Sequence, residues 1–97
     1  MLNDVAYLLI EKHDFARALP FARRAVQMAP KASLTRGFAT FNLGYALLRL
    51  GRCAESLPLL ERALVLEPKG YHHYIRPRIK AAKRCVQREA TAPAPSP

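Results

Sequence analysis

The side chains through which this chain could do chemistry are sparse and scattered. His13 stands alone, and His72 and His73 are adjacent, so on a helix they point to different sides. No carboxylate or cysteine lies at ligand spacing beside them, and no metal site is expected. The two cysteines, Cys53 and Cys85, are too few for a disulfide-stapled scaffold or a four-ligand zinc site. They read as buried or inert thiols rather than as a nucleophile or a disulfide. There is no glycine-rich phosphate loop and no Ser/His/Asp grouping by motif, and only 7 Asp and Glu are available to pair. The expectation is a chain with no catalytic residues and no cofactor, not an enzyme.

Charge offers more. The chain holds 16 Lys and Arg, for a net charge of +9, and Arg76, Arg78, Lys80, Lys83, Arg84 and Arg88 crowd into one segment. Clustered cations gain affinity for phosphates by releasing counterions. No aromatic is interleaved from Arg76 to Arg88, so a base-stacking platform is missing there, although Tyr71 and Tyr74 stand just before it. The plainer reading of this basic patch is a solubilising outer face. A hydrophobic fraction of 51% is too high for a wholly disordered chain. No apolar run approaches the roughly 20 residues of a membrane span. The first thirty residues lack a basic start followed by an apolar block, so no signal peptide is expected, and a cytoplasmic location follows from that alone.

The elements that must position these residues are marked by proline and glycine. Pro20 and Pro58 are 38 residues apart, as are Pro30 and Pro68. The same shift superposes Tyr7 on Tyr45, Leu9 on Leu47, Ala16 on Ala54, Leu19 on Leu57, Arg24 on Arg62 and Ala25 on Ala63, the mark of an internal repeat. Leu43, Ala46, Leu47 and Leu50 form the stripe of an amphipathic helix, with Gly51 at its end. A second helix runs through Leu57, Leu60, Ala63, Leu64 and Leu66 and stops at Pro68. In the first copy Asp14 is a candidate N-cap for a helix from about Phe15 to Met28. Pro20 and Pro58 are placed near the first turn of their helices, or a turn deeper with a slight bend. Tyr71 to Glu89 reads as a fifth helix, interrupted or started at Pro77, with Ile75, Ile79, Ala82 and Val86 on one face. Residues 90–97 read as a disordered, polyproline-like Ala/Pro tail.

The second copy resembles a tetratricopeptide repeat. Leu43-Gly44 stands at the family's Leu-Gly, Leu47 at its Tyr and Gly51 at the turn. Ser56 and Ala63 take its small positions, Leu60 its large apolar one and Pro68 its closing proline. Thr40 replaces the usual Trp. The first copy is more worn, with Val5-Ala6, His13, Ala18, Ala25 and Pro30 at the matching places. Its period exceeds the family's by about four residues, placed around Ser33 to Arg36 as a longer joint. The resemblance implies an all-α, right-handed α-solenoid forming one domain over 1–89: repeat one about 2–32, repeat two about 37–70 and a capping helix about 71–89.

It also implies a protein-interaction module whose first helices line a concave groove. The partner-binding groove would be built from Tyr7, Phe38, Phe41, Asn42, Tyr45, Arg49, His72 and Arg76, with Asn3, Ile10, Glu11 and Leu48 beside them. Aromatic anchors among a few polar groups suit a helix or extended peptide. The plainer reading is that Phe38 and Phe41 pack the joint. Chaperone-binding members of the family hold a partner's carboxylates in a clamp of Lys, Asn and Arg. Asn42 and Arg76 match two of its positions, but His72 stands for Lys, and Asn3 and Tyr7 replace the remaining two. Nucleic acid or another polyanion on the basic patch is the competing class of partner. Because repeats cover one another's apolar faces and two are few, a homodimer, or a piece of a longer protein, is a further expectation, with domain exchange through Lys31 to Arg36 as one route.

Overall fold

The computed structural model describes residues 2–91. Five helices follow one another: α1 (Leu2–Glu11), α2 (Phe15–Met28), α3 (Leu34–Arg49), α4 (Cys53–Leu66) and α5 (His72–Thr91), with a single 3-10 turn, Lys69–Tyr71, before α5. The architecture is an all-α helical repeat of two antiparallel pairs and a fifth helix. Helix α3 is central. It packs on α1 and α2 on one side and on α4 and α5 on the other.

Each connection has a local cause. At the α3–α4 turn Gly51 adopts φ 81°, and the Arg52 N–H bonds the Leu47 carbonyl, closing the last turn of the helix. The matching position of the first pair is His13, which takes the same left-handed conformation at φ 58°. Asp14 precedes α2 as expected, but its side chain makes no capping bond and instead pairs with Arg17 at 3.3 Å. Ser33 is the real side-chain cap: its Oγ accepts from the Arg36 N–H at 3.1 Å and donates to the Pro30 carbonyl at 2.6 Å. That cap draws Leu34, Thr35 and Arg36 into the first turn of α3. The extra residues of the first repeat therefore lengthen a helix rather than loosen the joint.

Pro20, Pro58 and Pro77 all lie inside their helices, at the sixth residue of α2, α4 and α5. The prolines are thus a turn deeper than the first turn, and Pro77 neither starts nor interrupts α5. Each removes the N–H that would have met the carbonyl four residues back. Helix α5 also runs on to Thr91, so residues 90 and 91, expected in the tail, are helical, and residues 92–97 lie outside the described residues.

The core is mostly aliphatic. Ala6, Ala22, Leu43 and Leu47 form one cluster, Ile10, Phe15, Ala18 and Ala46 a second, and Leu60, Ile75, Ile79 and Ala82 a third. Small residues set the spacing. A Cβ on Gly44 would stand 3.0 Å from Leu60 Cγ, and the Gly44 carbonyl accepts a 2.7 Å bond from the buried Ser56 hydroxyl, so α3 and α4 meet almost backbone to backbone.

The cysteines require a correction. Cys53, the first residue of α4, and Cys85, deep in α5, are joined as a disulfide with their Cα atoms 6.0 Å apart. Antiparallel packing of α4 and α5 brings the start of one against the far part of the other. The sulfurs and the Glu89 carboxylate gather within 4.8 Å, but sulfurs joined to one another are not available as metal-ligating thiolates.

Candidate functional site

Phe15 belongs to the second core cluster, and its ring also begins a row of aromatic side chains along one face. Phe15 meets Tyr45 edge-on at 5.9 Å, Tyr45 stacks on Phe41 at 6.0 Å, and Phe41 stacks on Tyr74 at 5.6 Å. Tyr74 then adjoins Tyr71 at 6.3 Å, and Tyr71 meets Phe38 edge-on at 5.2 Å. The row runs across α2, α3 and α5. Phe38 and Phe41 are half-buried and serve two ends at once: Phe41 backs onto the Leu60–Ile75 cluster while its ring belongs to the row. Tyr7, Tyr71 and Tyr74 are 52%, 39% and 41% exposed.

Two of the chain's own cations lie on this row. The Arg49 guanidinium sits 5.0 Å from the Phe15 ring and donates to the Tyr45 hydroxyl at 3.3 Å. Arg78 lies 5.2 Å from the Tyr45 ring and 5.8 Å from that of Tyr74. Arg78, expected in the basic patch, thus lies over the aromatic row, held by a bond to the Tyr74 carbonyl. Lys80, Lys83, Arg84 and Arg88 remain exposed on α5.

At the other end of the row a cavity of about 240 Å³ opens between α1, α3 and α5, lined by Asn3, Asp4, Tyr7, Phe38, Phe41, Asn42, Glu67 and Tyr74. The amide of Asn42 donates to the Asn3 side-chain oxygen at 2.8 Å, tying α3 to α1 across it. Glu11, a turn along α1, raises the pKa of the Tyr7 phenol by its charge, assisted by a nearby hydrogen bond. Glu67 is 5% exposed, and its Oε2 is buried with no hydrogen-bond partner. Burial pushes its carboxyl up to about 7.

Of the residues expected in the groove, Tyr7, Phe38, Phe41 and Asn42 line this cavity, and Tyr45 and Arg49 continue the row. His72 and Arg76 do neither. The His72 ring lies 3.0 Å from the Glu67 carbonyl oxygen and closes the α4–α5 joint, while Arg76 is exposed. Ile10 and Leu48 belong to the core. The 3-10 turn ahead of α5 sets its register, so Tyr71, Tyr74 and Arg78 face the groove at helical spacing. Glu67, Asp4 and Tyr74 are additions; the only sequence signal for Glu67 is its place between α4 and Pro68.

Glu67 gives a sign-definite prediction. A carboxyl whose folded pKa exceeds its unfolded value favours folding below the unfolded value and loses that advantage as pH rises through the folded one. The melting temperature should therefore fall between about pH 4.5 and about pH 7. Glu67→Gln should remove most of that slope, on the order of 2 kcal/mol. Thermal melts across that range, wild type against variant, check it; a slope unchanged in the variant assigns it elsewhere.

An apolar hollow of about 500 Å³ lies between the start of α1, the end of α2 and the start of α3, lined by Leu2, Val5, Ala25, Met28 and Ala29 among others. No helix among the described residues is long and apolar enough to cross a membrane. No curated protein and no solved structure matches the chain. Residues 42–66, from the middle of α3 to the end of α4, do match a family model, the tetratricopeptide repeat. That repeat is generally a non-catalytic module of protein–protein interaction. With Gly44 against Leu60, Ser56 beneath Gly44 and Gly51 at the turn, the α3–α4 pair has the geometry of the tetratricopeptide repeat that residues 42–66 match.

Proposed function

We infer that the chain is a non-catalytic scaffold that takes a peptide or helix of another protein along the aromatic row of α2, α3 and α5. The observation that carries this reading is the placement of the rings: Phe15 alone of six is buried in a core cluster, and with the other five it forms one continuous, partly exposed face. Exposed aromatic anchors beside arginine are the composition of binding hot spots. The carboxylate-clamp variant is disfavoured by charge, since Asp4 and Glu67 line the same cavity and the Asn42 amide is already bonded to Asn3.

Short random peptides displayed on phage supply a probe that needs no known partner. Peptides selected by the wild type should lose about tenfold or more in affinity for Phe41→Ala or Tyr45→Ala, a change of 1.4 kcal/mol or above. Both variants should keep the helical circular-dichroism spectrum. Binding that survives both changes places the docking face elsewhere. A second reading, self-association, is favoured by the apolar hollow at the α1–α2 end, where Met28 is 68% exposed and Leu8, on the same helix pair, 58% exposed. Light scattering behind size exclusion separates monomer from dimer.

A further inference from the structure

The groove has two ends of opposite character. One end is already occupied by the chain's own cations, Arg49 and Arg78, lying on Phe15, Tyr45 and Tyr74. The other end holds Asp4 and Glu67 among Tyr7, Phe38, Phe41 and Tyr74. Among the described residues neither Asp4 nor Glu67 forms an ion pair, in a chain whose net charge is +9. Cations are abundant, yet none reaches the carboxylate that is most deeply buried.

The fold does not require that carboxylate. The 38-residue repeat superposes Glu67 on Ala29, which closes the first joint as a buried alanine. Helix α3 instead makes room for the longer side chain, since a Cβ on Gly37 would stand 2.9 Å from Glu67 Cγ. A buried, unpaired acceptor costs roughly 1–3 kcal/mol, and more when charged. A group retained at that cost, with no partner in its own chain, is suited to a partner from outside.

We propose that the cavity between α1, α3 and α5 receives a lysine or arginine side chain of the bound peptide, its apolar stem against Tyr7, Phe41 and Tyr74 and its charged head on Glu67. This rests on the reading of the aromatic row as the docking face. The chemistry is complementary at both ends of such a side chain. Aromatic faces attract a cation and cover its methylenes, and a carboxylate withdrawn from water pairs with it more strongly than one on the surface. The asymmetry also fixes direction: a basic residue enters at the Glu67 end, away from Arg49 and Arg78, which repel it. Because burial favours the protonated acid, cation binding releases a proton. The other titratable groups facing Glu67 are Asp4 and Tyr7 from α1, Tyr74 from α5 and, at its backbone carbonyl, His72; the α3 wall contributes only Phe38, Phe41 and Asn42.

The test uses the same displayed random peptides, selected on the full chain at mildly alkaline pH in physiological salt. A chain this basic selects acidic peptides wherever contact is non-specific, so enrichment of basic residues reports a local site. The wild type should enrich peptides sharing one Lys or Arg, and Glu67→Gln should lose that enrichment while remaining folded. Replacing that residue of a selected peptide by norleucine should weaken binding roughly tenfold by calorimetry. That ratio should grow as pH rises through about 7 in the wild type and stay flat in Glu67→Gln. Asp4→Asn, at the exposed rim, should reduce the preference partially and serves if Glu67→Gln fails to fold. Peptides that depend on Phe41 but share no basic residue would overturn the proposal and leave the groove reading standing. Peptides indifferent to Phe41→Ala would overturn both. A dimer that dissociates in Glu67→Gln would replace the foreign peptide by an arginine or lysine of a second copy.

Discussion

Reducing the Cys53–Cys85 bond should lower the melting temperature by about 15–25 °C, and Cys85→Ser should melt like the reduced wild type and ignore reductant. The magnitude follows from the separation of 32 residues. Closing a loop of that length removes about 3–4 kcal/mol of conformational freedom from the unfolded chain. In a domain of this size each kcal/mol moves the midpoint by roughly 4–8 °C. The loss should also be local in character. Helix α5 is held to α4 by Ile75, Ile79 and Ala82 against Leu60, a small contact for an end helix. Circular dichroism with and without reductant gives the midpoint, and hydrogen exchange should show α5 losing protection first. A reduced protein that melts within a few degrees of the oxidised one would mean that the aliphatic contact alone fixes the cap.

Leu60→Ala should cost about 3–4 kcal/mol, the larger of the packing effects. Leu60 is fully buried where α3, α4 and α5 converge, against Gly44 on one side and the Ile75–Ile79 cluster on the other. The partner residue turns this into a test of the mechanism. In the wild type Gly44→Ala forces a methyl to 3.0 Å from Leu60 Cγ and 3.1 Å from Cδ2. Overpacking of that kind costs about 1–3 kcal/mol, offset by about 1 kcal/mol of better helix propensity. With Leu60 truncated, the same methyl enters the vacated space, so Gly44→Ala should there become stabilising by about 1 kcal/mol. Denaturant melts of the two single variants and the double variant give the coupling. Strict additivity would show that the helices move apart rather than share the gap.

The helical repeat was legible in the sequence because its causes are local. Proline and glycine at fixed spacing mark helix ends, and the Leu43–Leu47 and Leu57–Leu64 stripes can be counted without coordinates. The Phe38–Phe41–Tyr45 part of the row followed from the resemblance to the tetratricopeptide repeat, which puts these positions on the inner face. What escaped depends on how neighbouring elements meet. The register of α5 is set by the 3-10 turn Lys69–Tyr71, and matching His72 and Arg76 to the inner face ignored that rotation. Glu67 sits where a polar loop residue is ordinary, and only the closure of α1 and α5 over it makes it buried. Domain exchange through Lys31 to Arg36 loses its basis once Ser33 caps α3 and Leu34–Arg36 are helical. The disulfide had a usable signal. Cys53 lies as far before the end of α4 as Cys85 lies after the start of α5, and in an antiparallel hairpin such positions face each other.

That bond also decides how the molecule carries tension. A pull transmitted from beyond Thr91 enters α5, reaches Cys85, crosses to Cys53 and continues into the Gly51 turn and α3. The chain between the two cysteines, about 100 Å of extensible contour, is bypassed while the bond is closed. Glu67, Tyr71, Tyr74 and Arg78 all lie within that bypassed stretch, so the α4–α5 wall of the groove stands outside the load path, and reduction of one covalent bond would place it in series with the force.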